Sequence, residues 1–97
     1  MPTYLVLGNF TEQGIRNVKD TTKRAEAARE TAKKFKITVK DMFWLLGDHD
    51  VALIADAPDE AAMTAFGLSI GVAGNVRTQT MRAFNAEEIS KVLGKMS

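Results

Sequence analysis

Three segments of this 97-residue chain have the composition of β-strands that are apolar on both faces, and no other feature restricts the possible folds as much. Successive side chains of a strand point to opposite faces, so a strand with one solvated face alternates between apolar and polar residues. In the first strand, residues 3–9, both sets are apolar: Leu5 and Leu7 on one face, Tyr4 and Val6 on the other. Because a soluble monomer rarely exposes so large an apolar patch, both faces of the sheet must be covered.

The other two strands repeat this pattern. The second covers residues 37–46 and ends at a turn that begins with Gly47 and Asp48, and the third covers residues 51–55, so the two form a hairpin. The predicted faces are Val39, Phe43 and Leu45 opposite Met42, Trp44 and Leu46 in the second strand, and Val51, Leu53 and Ala55 opposite Ala52 and Ile54 in the third.

Two segments have the apolar spacing of amphipathic helices. Residues 21–35 place Ala25, Ala28 and Ala32 on one helical stripe, and we expect these small side chains to pack on the sheet rather than line a binding groove. The second helix follows Ala57, has Pro58 in its first turn, and ends within residues 71–74. Gly67 and Gly71 are expected to let this helix approach the sheet. Residues 10–19 are irregular, with room for one helical turn.

Residues 75–84 complete the pattern as a fourth strand, and a capping box from Asn85 to Glu88 starts a short final helix that ends before Gly94. The resulting order, βαββαβ with a C-terminal helix, predicts an α+β, ferredoxin-like fold in a single domain covering residues 1–97. Both long helices of this fold lie on one face of the sheet. We therefore expect a second copy to cover the other face, which gives a homodimeric α+β barrel or a higher homo-oligomer.

Composition excludes several function classes. The chain has no cysteine, which removes disulfides and thiolate catalysis, and its net charge of +1 gives no field to attract nucleic acid or a membrane. Its N-terminal apolar run is too short for a signal peptide, so we expect a cytoplasmic protein. We expect no cofactor and no metal.

The single histidine lies between two carboxylates, in the sequence Asp48-His49-Asp50. His49 and Asp50 are therefore candidate catalytic residues, with His49 as the acid/base group. A metal site has less support, since neighbouring strand residues point to opposite faces. The structural alternative is that Asp48 makes the turn, Asp50 accepts backbone hydrogen bonds and the His49 ring packs at the edge of the sheet.

Polar or large aromatic residues on the apolar strands are candidate ligand-binding residues. They are Asn9 on the first strand, Trp44 on the second and Arg77 on the fourth; Arg77 and Arg82 should face opposite ways. Residues 67–71 match the G-x-S-x-G pattern of serine hydrolases, but Ser69 lies inside a predicted helix, where a nucleophile elbow cannot form.

Three segments resemble the GYD-domain family of small bacterial and archaeal proteins. They are PTYLVLGNFTEQGIRNVKDTTKRAEA, LGDHDVALIADAPD and GNVRTQTMRAF. The resemblance implies a dimeric α+β barrel of the ferredoxin-like type and implies no particular activity. Gly47 and Asp50 match the motif that gives the family its name, whereas His49 stands where the family usually has tyrosine.

The function that these observations favour is the binding of a small apolar or aromatic molecule by a homodimer. One alternative is a cofactor-independent monooxygenase-like enzyme that uses His49 as acid/base, and another is a structural assembly module without a ligand. A cavity of roughly 300 Å³ or more with His49 on its wall would favour ligand chemistry, while a filled interior with His49 in solvent would favour assembly.

Overall fold

The computed structural model describes residues 1–96 and has one four-stranded antiparallel sheet, with both long helices on one face. The strands are β1 (Thr3–Phe10), β2 (Thr38–Trp44), β3 (Val51–Asp56) and β4 (Val76–Ala83), in the order β2-β3-β1-β4. The helices are α1 (Glu12–Arg16), a 3₁₀ turn (Val18–Asp20), α2 (Thr21–Lys34), α3 (Glu60–Ala73) and α4 (Ala86–Gly94). The predicted α+β, ferredoxin-like fold is confirmed.

Local signals fix the ends of the helices much as the sequence predicts. The Asp59 side chain caps α3 by accepting a hydrogen bond from Ala62 N at 2.8 Å, and Gly74 ends the helix in the left-handed conformation with φ of 82°. Pro58 precedes this cap and so lies outside the helix, not in its first turn. The predicted capping box of α4 is present, with Asn85 and Glu88 each accepting from the other's backbone N–H.

Strand register assigns the side chains to the two faces. Val6 pairs with Leu53, and both point toward the helices, whereas Leu5 pairs with Ile54 on the other face. The predicted faces of the first and third strands are therefore confirmed. In β2, the register shifts between Val39 and Asp41, where a β-bulge adds one residue.

This bulge corrects the prediction for Val39. The residue pairs with Ala55 and packs against the core on the helix side, whereas Phe43 pairs with Ala52 and faces the other way. Strict alternation had placed Val39 and Phe43 on the same face.

The core lies between the sheet and the two long helices. It is built from residues of both layers: Tyr4, Val6, Ala32, Ile37, Ala55, Ala57, Met63 and Phe66. Ala32 is fully buried, as expected for a helix residue that packs on a sheet.

The opposite face of the sheet, which we call the open face, carries a group of apolar side chains, with polar residues that include Asn9, Arg77 and Gln79 beside them. Its apolar members are Leu5, Leu7, Phe43, Ala52, Ile54, Met81 and Ala83. Phe43 is 50% exposed, and Leu5, Leu7, Ile54 and Met81 are partly exposed.

The shape of the chain is extended for its size. Its radius of gyration is 14.6 Å, against about 12.5 Å expected for a compact domain of this length. Its accessible surface of 6685 Å² exceeds the roughly 5,500 Å² expected for this mass by about 1,200 Å². Helix α4 contributes to this excess, because none of its residues is buried. Within residues 1–96, no helix has the length and apolar character needed to cross a membrane.

Candidate functional site

The space between the helices and the sheet contains a cavity of about 360 Å³. Its walls come from the helix-facing side of the sheet and from both long helices, and include Val6, Met42 and Leu53 from the sheet, Ala25 and Ala28 from α2, and Phe66 from α3. The volume lies within the range of about 300–1,000 Å³ that is usual for small-molecule sites. The cavity is therefore large enough for an organic ligand.

Small residues on the two helices leave this space open. Ala25 and Ala28 line the cavity, so the expectation that they only pack on the sheet is wrong, although it holds for Ala32. On α3, a Cβ added at Gly67 or at Gly71 would meet no atom within 4 Å. Neither glycine therefore serves a close approach to the sheet, and Gly67 instead lies on the cavity wall.

Trp44 forms part of the cavity wall at the end of β2. Its indole Nε1–H donates to Thr21 Oγ1 at the start of α2, at 3.0 Å, and this bond fixes the ring relative to the helix. The side chain remains 46% exposed. The structure thus places the ring of Trp44, a predicted ligand-binding residue, on the cavity wall. Its role in binding a ligand remains a proposal.

His49 lies in a different place, in the loop between β2 and β3. Its Nδ1 is 2.9 Å from Asn9 Oδ1, and Asn9 Nδ2 donates to the carbonyl oxygen of Asp48 at 2.7 Å. The amide oxygen is therefore the acceptor, so neutral His49 carries its proton on Nδ1 and keeps a lone pair on Nε2. The geometry gives His49 a free proton acceptor, held in orientation by Asn9.

The Asp50 carboxylate binds backbone rather than the histidine. Asp50 Oδ2 accepts a hydrogen bond from Phe10 N at 2.9 Å. The backbone N–H of Asp50 donates to Gly8 O, and the backbone carbonyl of Asp50 accepts from Leu45 N. These bonds tie the β2–β3 loop to the end of β1. This is the arrangement of the structural alternative, in which Asp50 accepts backbone hydrogen bonds.

The predicted site residues are divided between two regions. Asn9 pairs with Arg77 across β1 and β4, on the face that carries Leu5 and Leu7. His49 contacts Asn9 near this end of the sheet. Trp44 alone among the predicted site residues lines the cavity. Across residues 1–96, no cluster of three or more histidine and acidic side chains could hold a metal ion.

Sequence reasoning missed most of the cavity wall. No ligand-binding role was predicted for Met42, Met63, Phe66, Thr78 or Thr80. A usable signal was present on β4, where two neighbouring helix-facing positions, Thr78 and Thr80, are threonine rather than large apolar residues. Small side chains at such positions leave a layer incompletely filled.

Arg82 and Glu88 connect the end of β4 to α4. The guanidinium contacts the Glu88 carboxylate at 3.1 Å and lies 4.3 Å from the centre of the Phe84 ring. The backbone N–H of Asn85, followed by the hydrogen bond from Arg82, lowers the pKa of Glu88 below its usual value. Arg82 lies on the helix-facing side and Arg77 on the open face, so the prediction that they face opposite ways is confirmed.

The sheet order β2-β3-β1-β4 with both long helices on one face defines a ferredoxin-like α+β domain. The chain belongs to the GYD domain family, which it matches over residues 4–93. The family membership inferred from the three sequence segments is therefore confirmed.

One relative of this chain comes from Thermus thermophilus and is named a glutamine synthetase and cystathionine beta-lyase binding protein. The two are 28% identical over 90 residues, which make up 92% of this chain and 95% of the relative.

Solved structures share the fold at low identity. The crystal structure of MtbAldR matches with a TM-score of 0.66 at 15% identity, covering 87% of this chain and 53% of that one. A crystal structure of a Thermus thermophilus protein matches with a TM-score of 0.58 at 22% identity, covering 89% and 96%. The leucine response regulatory protein of Mycobacterium tuberculosis matches with a TM-score of 0.58 at 13% identity, covering 88% and 51%. This chain thus spans about half the length of the first and third of these proteins, and the likeness concerns the fold alone.

Proposed function

We propose that this chain is a homodimeric protein-binding module. Two copies join through their open faces into an α+β barrel, and the outer side of α3 binds another protein. The observation that carries this proposal is the large apolar surface that a single copy leaves exposed on both of its layers.

The open face supports the dimer. A standard interface buries about 800 Å² on each partner. One chain exposes about 1,200 Å² more surface than the value expected for its mass, as a chain with one uncovered sheet face would. The helices cover one face of the sheet, and in a two-fold dimer the open face of one copy is covered by the open face of the other.

A second apolar surface lies on α3 and would remain exposed in such a dimer. Leu68 and Val72 are 67% and 88% exposed and, four residues apart, form neighbours on the outer side of the helix. Apolar side chains that stay exposed after self-association suit contact with a different protein. The name of the Thermus relative, a binding protein for two enzymes, supports the same function.

Analytical ultracentrifugation tests the dimer. We expect a particle of twice the 10.6 kDa chain mass at micromolar concentration, and a single-chain mass for Ile54→Glu, which places a charge on the open face. Thr22→Glu on the exposed side of α2 is the matched control and should leave the dimer intact. A wild-type protein that sediments as one chain would overturn the proposed dimer.

Direct titration tests the protein partner. The probes are purified glutamine synthetase and cystathionine beta-lyase from the organism that encodes this chain, and calorimetry follows their binding. We expect Leu68→Glu with Val72→Glu to weaken binding by at least about tenfold, since removing a central apolar contact costs about 1.4 kcal/mol or more. Thr22→Glu again serves as the control. Failure of both enzymes to bind the wild-type dimer would refute this part of the proposal.

A second candidate function is the binding of a small apolar or aromatic molecule, and the cavity of about 360 Å³ favours it. The monooxygenase-like alternative has less support, because His49 and Asp50 do not line this cavity.

A further inference from the structure

We propose that the cavity between the helices and the sheet binds an uncharged, flat aromatic molecule of about two fused rings, which lies against Trp44. This inference rests on the second candidate function and specifies the class of ligand.

The largely apolar wall of the cavity selects against an ion. Among the described residues that line the cavity, Arg24 alone carries a charge. Its guanidinium is directed toward α1 and the turn that follows, where Nη1 donates to Asn17 O at 2.6 Å and Nη2 donates to Gly14 O at 3.1 Å. A charged ligand would lose its hydration among walls that are mostly apolar, which is costly.

The uncharged polar side chains on the wall can meet a hydrogen-bonding group of the ligand; they are Thr21, Thr31, Ser69, Asn75, Thr78 and Thr80. Ser69 Oγ donates to the carbonyl oxygen of Ala65, one turn earlier in α3, at 2.9 Å. Thr78 and Thr80 place small side chains on the β4 wall, where a hydroxyl can donate or accept. A phenol-like or carbonyl group on an aromatic ring matches this wall.

The volume sets the size of the ligand. An apolar cavity of about 150 Å³ is sufficient to hold benzene. The cavity of about 360 Å³ is more than twice as large, which indicates a fused bicyclic molecule rather than a single ring.

Trp44 supplies an aromatic surface and a spectroscopic signal. Its indole N–H is bonded to Thr21, so the ring does not need to reorient to find a partner when a ligand arrives. Aromatic rings that meet in offset or edge-to-face geometry gain about 0.5–1.5 kcal/mol beyond burial. Trp44 is also the sole tryptophan of the chain, so the tryptophan fluorescence comes from this position on the cavity wall.

The test compares two probes with the same bicyclic ring system, 2-naphthol and 2-naphthoate, at neutral pH. We expect 2-naphthol to bind once per chain by calorimetry and to quench Trp44 fluorescence. The carboxylate should bind at least about tenfold more weakly, because its charge loses its hydration among mostly apolar walls.

A pair of glycine variants locates the binding site. Gly67→Leu fills open space on the cavity wall, whereas Gly71→Leu adds the same side chain one turn later, outside the cavity lining. Both replace a helical glycine by a better helix former, so both variants should fold. Gly67→Leu should weaken 2-naphthol binding by at least about tenfold, and Gly71→Leu should change it by less than about twofold.

Three results would overturn the inference, and they are distinguishable. Equal or tighter binding of 2-naphthoate would refute the uncharged class while leaving small-molecule binding in place. Unchanged binding of 2-naphthol to Gly67→Leu would place the probe elsewhere, for example on the open face. Binding of neither probe to the wild-type protein would refute both the ligand class and the second candidate function.

Discussion

Asn9 determines which ring nitrogen of His49 is available for chemistry. Its amide group donates to the Asp48 carbonyl through Nδ2, so its Oδ1 faces His49 Nδ1 as an acceptor. Any acid/base role of His49 would therefore use Nε2. The Asp50 carboxylate, next to His49 in the sequence, does not hold the ring, because it accepts a hydrogen bond from Phe10 N.

Replacing Asn9 by alanine should change the tautomer of His49. In the wild-type protein we expect neutral His49 to be protonated on Nδ1, and in Asn9→Ala to become a mixture of both neutral forms, since the acceptor is lost. Nitrogen NMR of the ring at alkaline pH measures this, and the chain has one histidine, so the assignment is unambiguous. Asn9→Asp keeps an acceptor oxygen and should retain the Nδ1–H form. An unchanged spectrum in Asn9→Ala would contradict the assigned orientation.

Gly14 makes a close contact that no other residue could make. A Cβ at this position would lie 1.9 Å from the carbonyl oxygen of Asn75, in the turn between α3 and β4. We expect Gly14→Ala to lower the free energy of unfolding by about 1–3 kcal/mol, the usual cost of overpacking. Urea denaturation measures the change. Gly71→Ala, in open space on α3, should instead raise stability by up to about 1 kcal/mol, and equal stabilities of the two variants would contradict the close contact.

The residues predicted to form one site lie in two separate regions of the structure. Asn9 occupies the same face of β1 as Leu5 and Leu7, whereas Trp44 lies on the helix-facing side of β2. Strict alternation along β1 could have predicted that Asn9 faces away from the helices, and so away from a cavity on their side of the sheet. The contact of His49 with Asn9 could not have been predicted, because it depends on how a loop folds back over a strand 40 residues earlier in the chain.

At the scale of the elements, the sequence predicted the order and type of every strand and long helix, but not the bulge in β2. Hydrophobic periodicity depends on local neighbours and so identifies elements directly. The extra residue of the bulge is Lys40, between Val39 and Asp41. In the sequence it is an ordinary polar residue, and strict alternation assigns it to a face like any other. Whether a residue is extra depends on the partner strand, which a single segment does not specify.

The start of α4 should respond to pH through Glu88. Its pKa is lowered in the folded chain, chiefly by the backbone N–H of Asn85 and then by Arg82. The stabilisation from its carboxylate is therefore complete above the unfolded pKa and is lost as the pH falls through the lower, folded pKa. Carbon NMR of the Glu88 carboxyl group gives this titration directly.

Two arginine variants distinguish the effect of the Arg82–Glu88 ion pair on the Glu88 titration from a general effect of charge. Arg82→Gln should move the Glu88 titration to higher pH, because the contact of 3.1 Å to its carboxylate is removed. Arg77→Gln removes the same charge from the same strand but on the other face, and should leave the titration in place. Equal shifts in both variants would indicate a general charge effect instead of the ion pair.

For the whole molecule, the extended shape and the apolar open face have the same consequence. A chain with a radius of gyration of 14.6 Å and an unburied α4 has not covered the surface that a domain of its size usually covers. Composition alone could not show this, because 45% hydrophobic residues is ordinary for a monomer and for a dimer. The two-faced strands are the feature of the sequence that predicts it.

If a second copy covers the open face, the stability of the protein must depend on its concentration. Folding is then coupled to association, and a tenfold rise in protein concentration should add about 1.4 kcal/mol per dimer to the free energy of unfolding. Thermal denaturation at several concentrations should therefore give a midpoint that rises with concentration. In Leu7→Asp the midpoint should be lower and independent of concentration, because the charge lies on the open face and outside the core. A Thr22→Asp control should behave like the wild type, and a wild-type midpoint that does not move would show that the single chain is stable with its open face in water.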